Sequence, residues 1–346
     1  MNINQPMPQL NYTPHDFKSN QEVRWCPGCG DYAILNSVYK ALPQVADEVD
    51  VRKEQFVFVS GIGCSSRFPY YMNTYGFHGI HGRALPIATG IKVVNPQLSV
   101  WVITGDGDAL AIGGNHFIHT VRRNIDINIL LFNNEIYGLT KGQYSPTSKL
   151  GAITRTSPYG TVEHPFRPGE LVIGAQGKFF ARCIDIDQKF TAEVLVEAAK
   201  HDGTSVVEIL QNCVIFNDKA HEYLTNREVR SERVIALRDG EKMLFGAKKD
   251  KGLVLDGLGL RVVRVGEGGH TIDQILTHNA TNPNPGIHMM LANMAYPEHP
   301  VAIGVIRNVK GLTYDKNVKA QILSTQRDAS IGRVDDLLRS GEVYRV

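Results

Sequence analysis

The sequence predicts an α/β protein, a parallel sheet flanked by helices. Three observations point there. Residues 100–104 and 127–132 are apolar, β-branched-rich runs that each stop in a short polar turn. Between them lies a helical segment starting near Ala109. A second strand–helix–strand series follows at residues 182–186, 192–201 and 205–210. Strands alternating with helices in this way argue for a parallel sheet, and open parallel sheets bind ligands beyond the carboxyl ends of their strands.

Taken in order, residues 1–22 are polar and proline-bearing, without periodicity, and are expected to form an arm that lies on something else, such as another subunit. A tight Cys-x-x-Cys turn spans Cys26 to Cys29, and residues 32–42 read as a helix stopped by Pro43. Residues 56–60 form a buried strand that ends in the turn Gly61-Ile62-Gly63-Cys64-Ser65-Ser66-Arg67. Residues 68–83, rich in Tyr, His and Gly, read as a loop, and residues 84–94 as a helix bounded by Pro96. The two ligand turns of the central unit are Gly105-Asp106-Gly107-Asp108 and Asn133-Asn134-Glu135-Ile136-Tyr137-Gly138. Residues 141–169 carry little pattern, and a loop that long in a domain is usually functional or interfacial. Residues 217–251 turn charged and read as a linker or arm, 261–265 as one more strand, and 277–300 fit no element. The expected organisation is therefore an arm (1–22), a ligand-binding domain (23–216) and a C-terminal extension (217–346) suited to an interface.

A chain of 346 residues can bury one large core, or one core plus an appendage. With 21% charged residues and a net charge of +2, nothing in the global electrostatics calls for nucleic acid or a membrane surface. No apolar run approaches the ~20 residues that span a bilayer. The first residues show no basic flank and no apolar core of an export signal, so the cytoplasm is the expected compartment. There, five cysteines suggest metal or redox chemistry rather than structural disulfides.

Two constellations carry chemistry. A hard divalent cation bridging a diphosphate takes oxygen ligands, which Asp106, Asn134 and the Ile136 carbonyl can supply. Gly105 and Gly107 let backbone approach the phosphates, and the helix that follows favours their charge. Separately, each motif reads equally well as a plain turn or helix cap; at the ends of adjacent strands they favour the site. The cargo at this stage could as well be a nucleotide. Cys26 and Cys29 suit a zinc knuckle, a redox dithiol or half of an iron–sulfur site. Cys64 and Cys213 also fall in strand-end turns, and four thiolates from three places suit a 4Fe–4S cluster; Cys183, inside a strand, reads as an inert buried thiol. His81 and Arg83 could meet phosphate or substrate, and Arg67 and Lys141 flank the ligand turns.

Together, Trp25-Cys26-Pro27-Gly28-Cys29-Gly30, Gly61-Ile62-Gly63-Cys64-Ser65, His81-Gly82-Arg83-Ala84-Leu85-Pro86, Gly105-Asp106-Gly107-Asp108 with Asn133-Asn134, and Ile136-Tyr137-Gly138-Leu139-Thr140-Lys141-Gly142-Gln143 resemble the β subunit of the 2-oxoacid:ferredoxin oxidoreductases over residues 20–220. The resemblance implies the diphosphate-binding half of a thiamine diphosphate fold. It implies magnesium on Asp106, Asn134 and Ile136, and a cofactor lined by Ile62, Gly63, Cys64, Ser65, His81, Gly82, Gly105, Gly107, Asp108, Gly138 and Leu139. It implies one 4Fe–4S cluster on Cys26, Cys29, Cys64 and Cys213. The implied reaction is oxidative decarboxylation of a 2-oxoacid with coenzyme A to an acyl-CoA and carbon dioxide, with electrons leaving to ferredoxin. Arg67 and Lys141 match positions near the far end of the substrate. Two cations there, and the chain length, favour 2-oxoglutarate over pyruvate. The thiamine-activating glutamate of this superfamily belongs to a pyrimidine-binding domain that this chain does not match, so an α subunit is expected in an αβ or (αβ)2 assembly. The competing expectations are a non-redox thiamine-dependent decarboxylase or synthase subunit with zinc on the cysteines, and an assembly subunit that keeps the fold without the cofactor.

Overall fold

Strands buried on both faces need near-continuous apolar sequence, and five such runs build the centre of the sheet. The computed structural model describes residues 11–328, 332–342 and 344. In chain order the strands are β1 (Phe56–Ser60), β2 (Tyr75–His78), β3 (Ser99–Gly105), β4 (Asn128–Asn133), β5 (Phe179–Ile184), β6 (Ser205–Leu210), β7 (Val234–Leu237), β8 (Leu244–Phe245), β9 (Lys251–Asp256), β10 (Gly259–Arg264) and β11 (Val301–Asn308). Eight of them form one sheet in the order β2-β1-β3-β4-β6-β5-β11-β7. The first six are mutually parallel; β11 runs antiparallel to β5 and parallel to β7. Strands β10-β9-β8 make a small antiparallel sheet.

Alternate residues of each central strand feed opposite cores, as the period of two requires. Val57, Val59, Val100, Val102, Ile129 and Leu131 face helices Ala84–Val94, Gly114–Arg123, Pro168–Gly174 and Gly286–Asn293. Phe58, Trp101, Ile103, Leu130 and Phe132 face helices Asp31–Glu48 and Gln188–Lys200. Because β1, β3, β4 and β6 run parallel, the turns after them all open on one edge of the sheet.

Several expectations are corrected. Within residues 11–22, Phe17 is fully buried and sits edge-on against Phe56 at 5.6 Å, an apolar payload that ties this part of the expected arm to the chain's own core. Residues 1–10 of that expected arm lie outside the described residues. The helix Asp31–Glu48 runs through Pro43, with Leu42, Val45 and Ala46 buried around it; that packing outweighs the ~3 kcal/mol that an interior proline costs. The segment 68–83 is not all loop, since it holds the short helix Phe68–Tyr71 and the edge strand β2. The sheet also continues past residue 216: β7 and β11 extend it beside β5, while Met243, Phe245 and Leu253 enter its core. The C-terminal segment is thus part of the same sheet rather than only an arm and extension. No helix among the described residues is long and apolar enough to cross a membrane.

Candidate active site

The ligand turns converge because parallel strands deliver them to one edge. The sequence places a turn at residues 105–108 ahead of a helix; in the structure Asp106 is already the first residue of the short helix Asp106–Leu110, with a second helix from Gly114. Asp106, Asn134 and Ile136 border one cavity of about 580 Å3. All the residues expected to line the cofactor border it too, except Gly82. Asp106 Oδ2 accepts the hydroxyls of Ser145 and Thr147, both at 2.5 Å. Burial pushes the Asp106 carboxyl up to about 6, against the pull of those two donors. Asn134 Oδ1 accepts the Ile136 N–H at 3.2 Å, a local turn that presents the neighbouring carbonyls.

Asp108 plays a different part from Asp106, because both of its carboxylate oxygens are occupied by donors of three neighbouring segments. Oδ1 accepts the N–H of Ile62 (3.1 Å), the N–H of Gly82 (2.6 Å) and His81 Nδ1 (2.7 Å); Oδ2 accepts the Thr104 hydroxyl (2.7 Å). It staples the turns after β1 and β3 to the loop before helix Ala84–Val94. Gly61 must be glycine for this, since a Cβ there would lie 2.0 Å from Asp108 Oδ2. With Nδ1 donating to the carboxylate, the half-exposed His81 ring keeps Nε2 for a ligand. Tyr137 closes over Gly107: its hydroxyl donates to the Gly107 carbonyl at 2.9 Å, and a Cβ on Gly107 would meet its ring at 2.2 Å.

A second cavity, of about 280 Å3, adjoins the first and is bordered by Cys26, Cys29, Cys64 and Cys213. Residues Asp31, Cys64, Asn134, Gly138, Leu139 and Gln211 border both. Gly28, at φ +84°, allows the Cys26 turn, which is closed by the Cys29 N–H on the Cys26 carbonyl at 3.0 Å. The Gly30 N–H ties that turn to the end of β6 through the Asn212 carbonyl at 3.1 Å, and Trp25 Nε1 donates to the Cys64 carbonyl at 2.7 Å. A carbon placed on Gly138 would touch Cys213 Sγ at 3.5 Å and Cys64 Sγ at 3.6 Å. Burial raises the Cys64 thiol to about 12 and the Cys29 thiol further, with the nearby Asp31 carboxylate and then the neighbouring thiols adding to both. Among the described residues, no three His, Cys, Asp or Glu side chains converge tightly enough to hold a single metal ion. Cys183 is fully buried inside β5, away from this set.

Arg67 and Lys141 border the cysteine cavity and not the larger one. Arg67 Nε donates to the Tyr71 hydroxyl at 3.0 Å, and its guanidinium lies 5.9 Å from the centre of the Tyr70 ring. Sequence reasoning missed Ser145 and Thr147, which have no distinguishing local pattern, and gave Tyr137 no part of its own although it stands in the second ligand turn. It also missed Asp31, whose carboxylate is buried on the shared wall with neither oxygen hydrogen-bonded. Burial raises Asp31 to about 7, the adjacent Cys29 thiol opposing the rise and the nearby Asp185 adding to it.

Residues 61–209 match the family model of the thiamine pyrophosphate enzyme C-terminal TPP-binding domain. The chain is 50% identical over 335 residues to the 2-oxoglutarate oxidoreductase subunit KorB of Mycobacterium tuberculosis, covering 96% of this chain and 88% of that one. It is 46% identical over 189 residues to the 2-oxoglutarate synthase subunit KorB of Archaeoglobus fulgidus, covering 55% of this chain and 69% of the relative. Among solved structures, a 2-oxoglutarate:ferredoxin oxidoreductase from Magnetococcus marinus, with 2-oxoglutarate, coenzyme A and succinyl-CoA bound, superposes with a TM-score of 0.75 at 30% identity, covering 96% of this chain and 97% of that one. With half its residues shared along almost its whole length, the chain belongs to the β subunits of the 2-oxoacid:ferredoxin oxidoreductases.

Proposed function

We propose that this chain is the cofactor-binding β subunit of an enzyme that oxidatively decarboxylates 2-oxoglutarate with coenzyme A, giving succinyl-CoA and carbon dioxide and passing electrons to ferredoxin. The observation that carries the reading is the pair of adjoining cavities at one sheet edge, one bordered by Asp106, Asn134 and Ile136, the other by four cysteines. The oxygen donors of the first fit a magnesium ion on a diphosphate. The four thiols of the second, spread around a volume rather than a point, fit a 4Fe–4S cluster better than a zinc ion.

Thiamine diphosphate bound here would supply the carbanion chemistry of decarboxylation, and a 4Fe–4S cluster would supply one-electron acceptance. This chain's residues do the rest. Asp106, Asn134 and the Ile136 carbonyl hold the cation, and Gly105 and Gly107 admit the phosphates. His81, oriented by Asp108, presents Nε2 to the cofactor. Cys26, Cys29, Cys64 and Cys213 would hold the cluster in the cavity that they border. Arg67 and Lys141, flanking Cys64 and Leu139, provide the positive charge for the second carboxylate of the substrate. An α subunit contributes the glutamate that activates thiamine.

The test is anaerobic co-expression with the α subunit, followed by iron and sulfide analysis and coenzyme A-dependent reduction of methyl viologen. We expect about four irons per β chain and a preference for 2-oxoglutarate over pyruvate. Zinc in place of iron, or decarboxylation without dye reduction, would overturn the redox assignment. A pyruvate preference would overturn the substrate.

A further inference from the structure

Asp106 does not set its own orientation. Both hydroxyls that reach it, from Ser145 and Thr147, bind the same oxygen, Oδ2. These two residues are buried and belong to one turn in the long irregular loop, with the Ser145 N–H bound to Ser148 Oγ at 2.8 Å. Ser148 Oγ in turn donates to the Glu135 carbonyl at 2.5 Å. The turn at residues 145–148 therefore grips both ligand turns, the one carrying Asp106 and the one carrying Asn134 and Ile136.

Behind the turn runs a buried polar chain. The Thr147 hydroxyl is also 2.9 Å from Asn133 Oδ1. Asn133 Nδ2 donates to Glu208 Oε1 at 2.8 Å, so the amide cannot flip and its oxygen must face Thr147. Glu208 Oε2 is taken by Arg182 Nε at 2.7 Å, and Arg182 Nη2 is anchored on the Ala292 carbonyl at 3.1 Å. Each member is nearly inaccessible to water. Buried networks of this kind are rigid when every member is satisfied.

Resting on the cofactor reading above, we propose that Thr147 and Ser145, backed by Asn133, Glu208 and Arg182, are positioning residues of the cation–diphosphate site. They fix the spacing of the two ligand turns and hold Asp106 by its Oδ2. The single Thr147 proton has two acceptors, and the negatively charged carboxylate is the stronger one. Asn133 then restrains the Thr147 side chain by its fixed position rather than by receiving its proton.

The experiment measures thiamine diphosphate binding to the αβ complex by tryptophan fluorescence as Mg2+ is titrated. Outer-sphere partners of metal ligands typically govern affinity by about 10–100-fold. Thr147→Val, which keeps the shape and removes the hydroxyl, should raise the Mg2+ concentration for half-saturation by about that factor. Thr147→Ser should restore it to near the wild-type value, a rescue that a purely structural role would not produce. Ser145→Ala is the second variant, needed if Thr147→Val fails to fold, and should show the same Mg2+-specific shift. Wild-type Mg2+ dependence retained by both Thr147→Val and Ser145→Ala would overturn the positioning role. Wild-type complex that binds thiamine diphosphate without Mg2+, or an Asp106→Asn complex that binds normally, would instead overturn the cofactor reading itself.

Discussion

Asp108 is the residue whose replacement tests the assembly of the site most directly. Asparagine can enter in one orientation only. Its oxygen must take the place of Oδ1, because an NH2 group there would face the N–H groups of Ile62 and Gly82 at 3.1 and 2.6 Å. Its Nδ2 then faces the Thr104 hydroxyl, which can turn to accept. Three donors thus keep a partner and lose a charged one. Hydrogen bonds to charged groups contribute about 1.5–3 kcal/mol and neutral ones about 0.5–1.5, so Asp108→Asn should destabilise the fold by about 3 kcal/mol. Asp108→Ala leaves two buried N–H groups unsatisfied at about 1–3 kcal/mol each and opens a void, and should exceed the asparagine variant by about 2 kcal/mol. The assay is equilibrium urea unfolding, followed by the fluorescence of the buried Trp101 next to β1. Gly61 supplies an internal control. Gly61→Ala places a Cβ 2.0 Å from Asp108 Oδ2 in the wild type and against nothing so close in Asp108→Ala, whereas asparagine keeps an atom at that position. Gly61→Ala and Asp108→Ala should therefore combine to less than the sum of their separate effects. An asparagine variant within ~1 kcal/mol of wild type, or strict additivity of Asp108→Ala with Gly61→Ala, would refute the stapling role.

Other expectations concern the cysteines, the substrate cations and pH. Cys213→Ser should lose iron from the anaerobically purified complex, whereas Cys183→Ser, buried in β5, should retain it; equal iron in both would remove Cys213 from the cluster. Arg67→Gln and Lys141→Gln should each reduce the preference for 2-oxoglutarate over pyruvate, measured as the ratio of kcat/KM values, by about tenfold or more, the equivalent of one charge-assisted contact of ~1.5 kcal/mol; an unchanged ratio would count against the charge argument. Burial holds the His221 imidazole down at about 4, with Nε2 3.2 Å from the Asn133 carbonyl and Nδ1 unpartnered. The folded-state value lies below the unfolded one, so this contribution to stability is present above pH 6.5 and is lost as pH falls toward 4, to a total of about 3 kcal/mol. His221→Gln should flatten the stability profile in that window, and an unaltered slope would show that another group titrates there.

What the sequence made legible, and what it hid, follows from the range of the interactions involved. Strands β1, β3, β4 and β6 were readable because burial on both faces imposes an apolar run with no tertiary partner needed to recognise it. The ligand turns were readable for a related reason: Gly105, Gly107, Asn134 and the Ile136 carbonyl act through local backbone geometry, which the residue types announce. Strand β7 offers only four residues amid charged sequence, and β11 carries Gly304 at φ +97° and a register shift before Arg307, so neither shows a clean period. Pro43 misled because a local rule was overridden by packing that the rule does not contain. The supports of Asp106 are the extreme case. Ser145 lies 39 residues away and Thr147 41, in a stretch where hydroxyls are common and only the fold decides which of them turn inward. The residues expected to touch the cofactor thus stand in motifs, while those that aim them do not. A sequence reading of such a site therefore names the expected ligands and stays blind to the residues behind them that determine whether they are well placed, and it is there that changes with no motif to flag them should weaken cofactor binding.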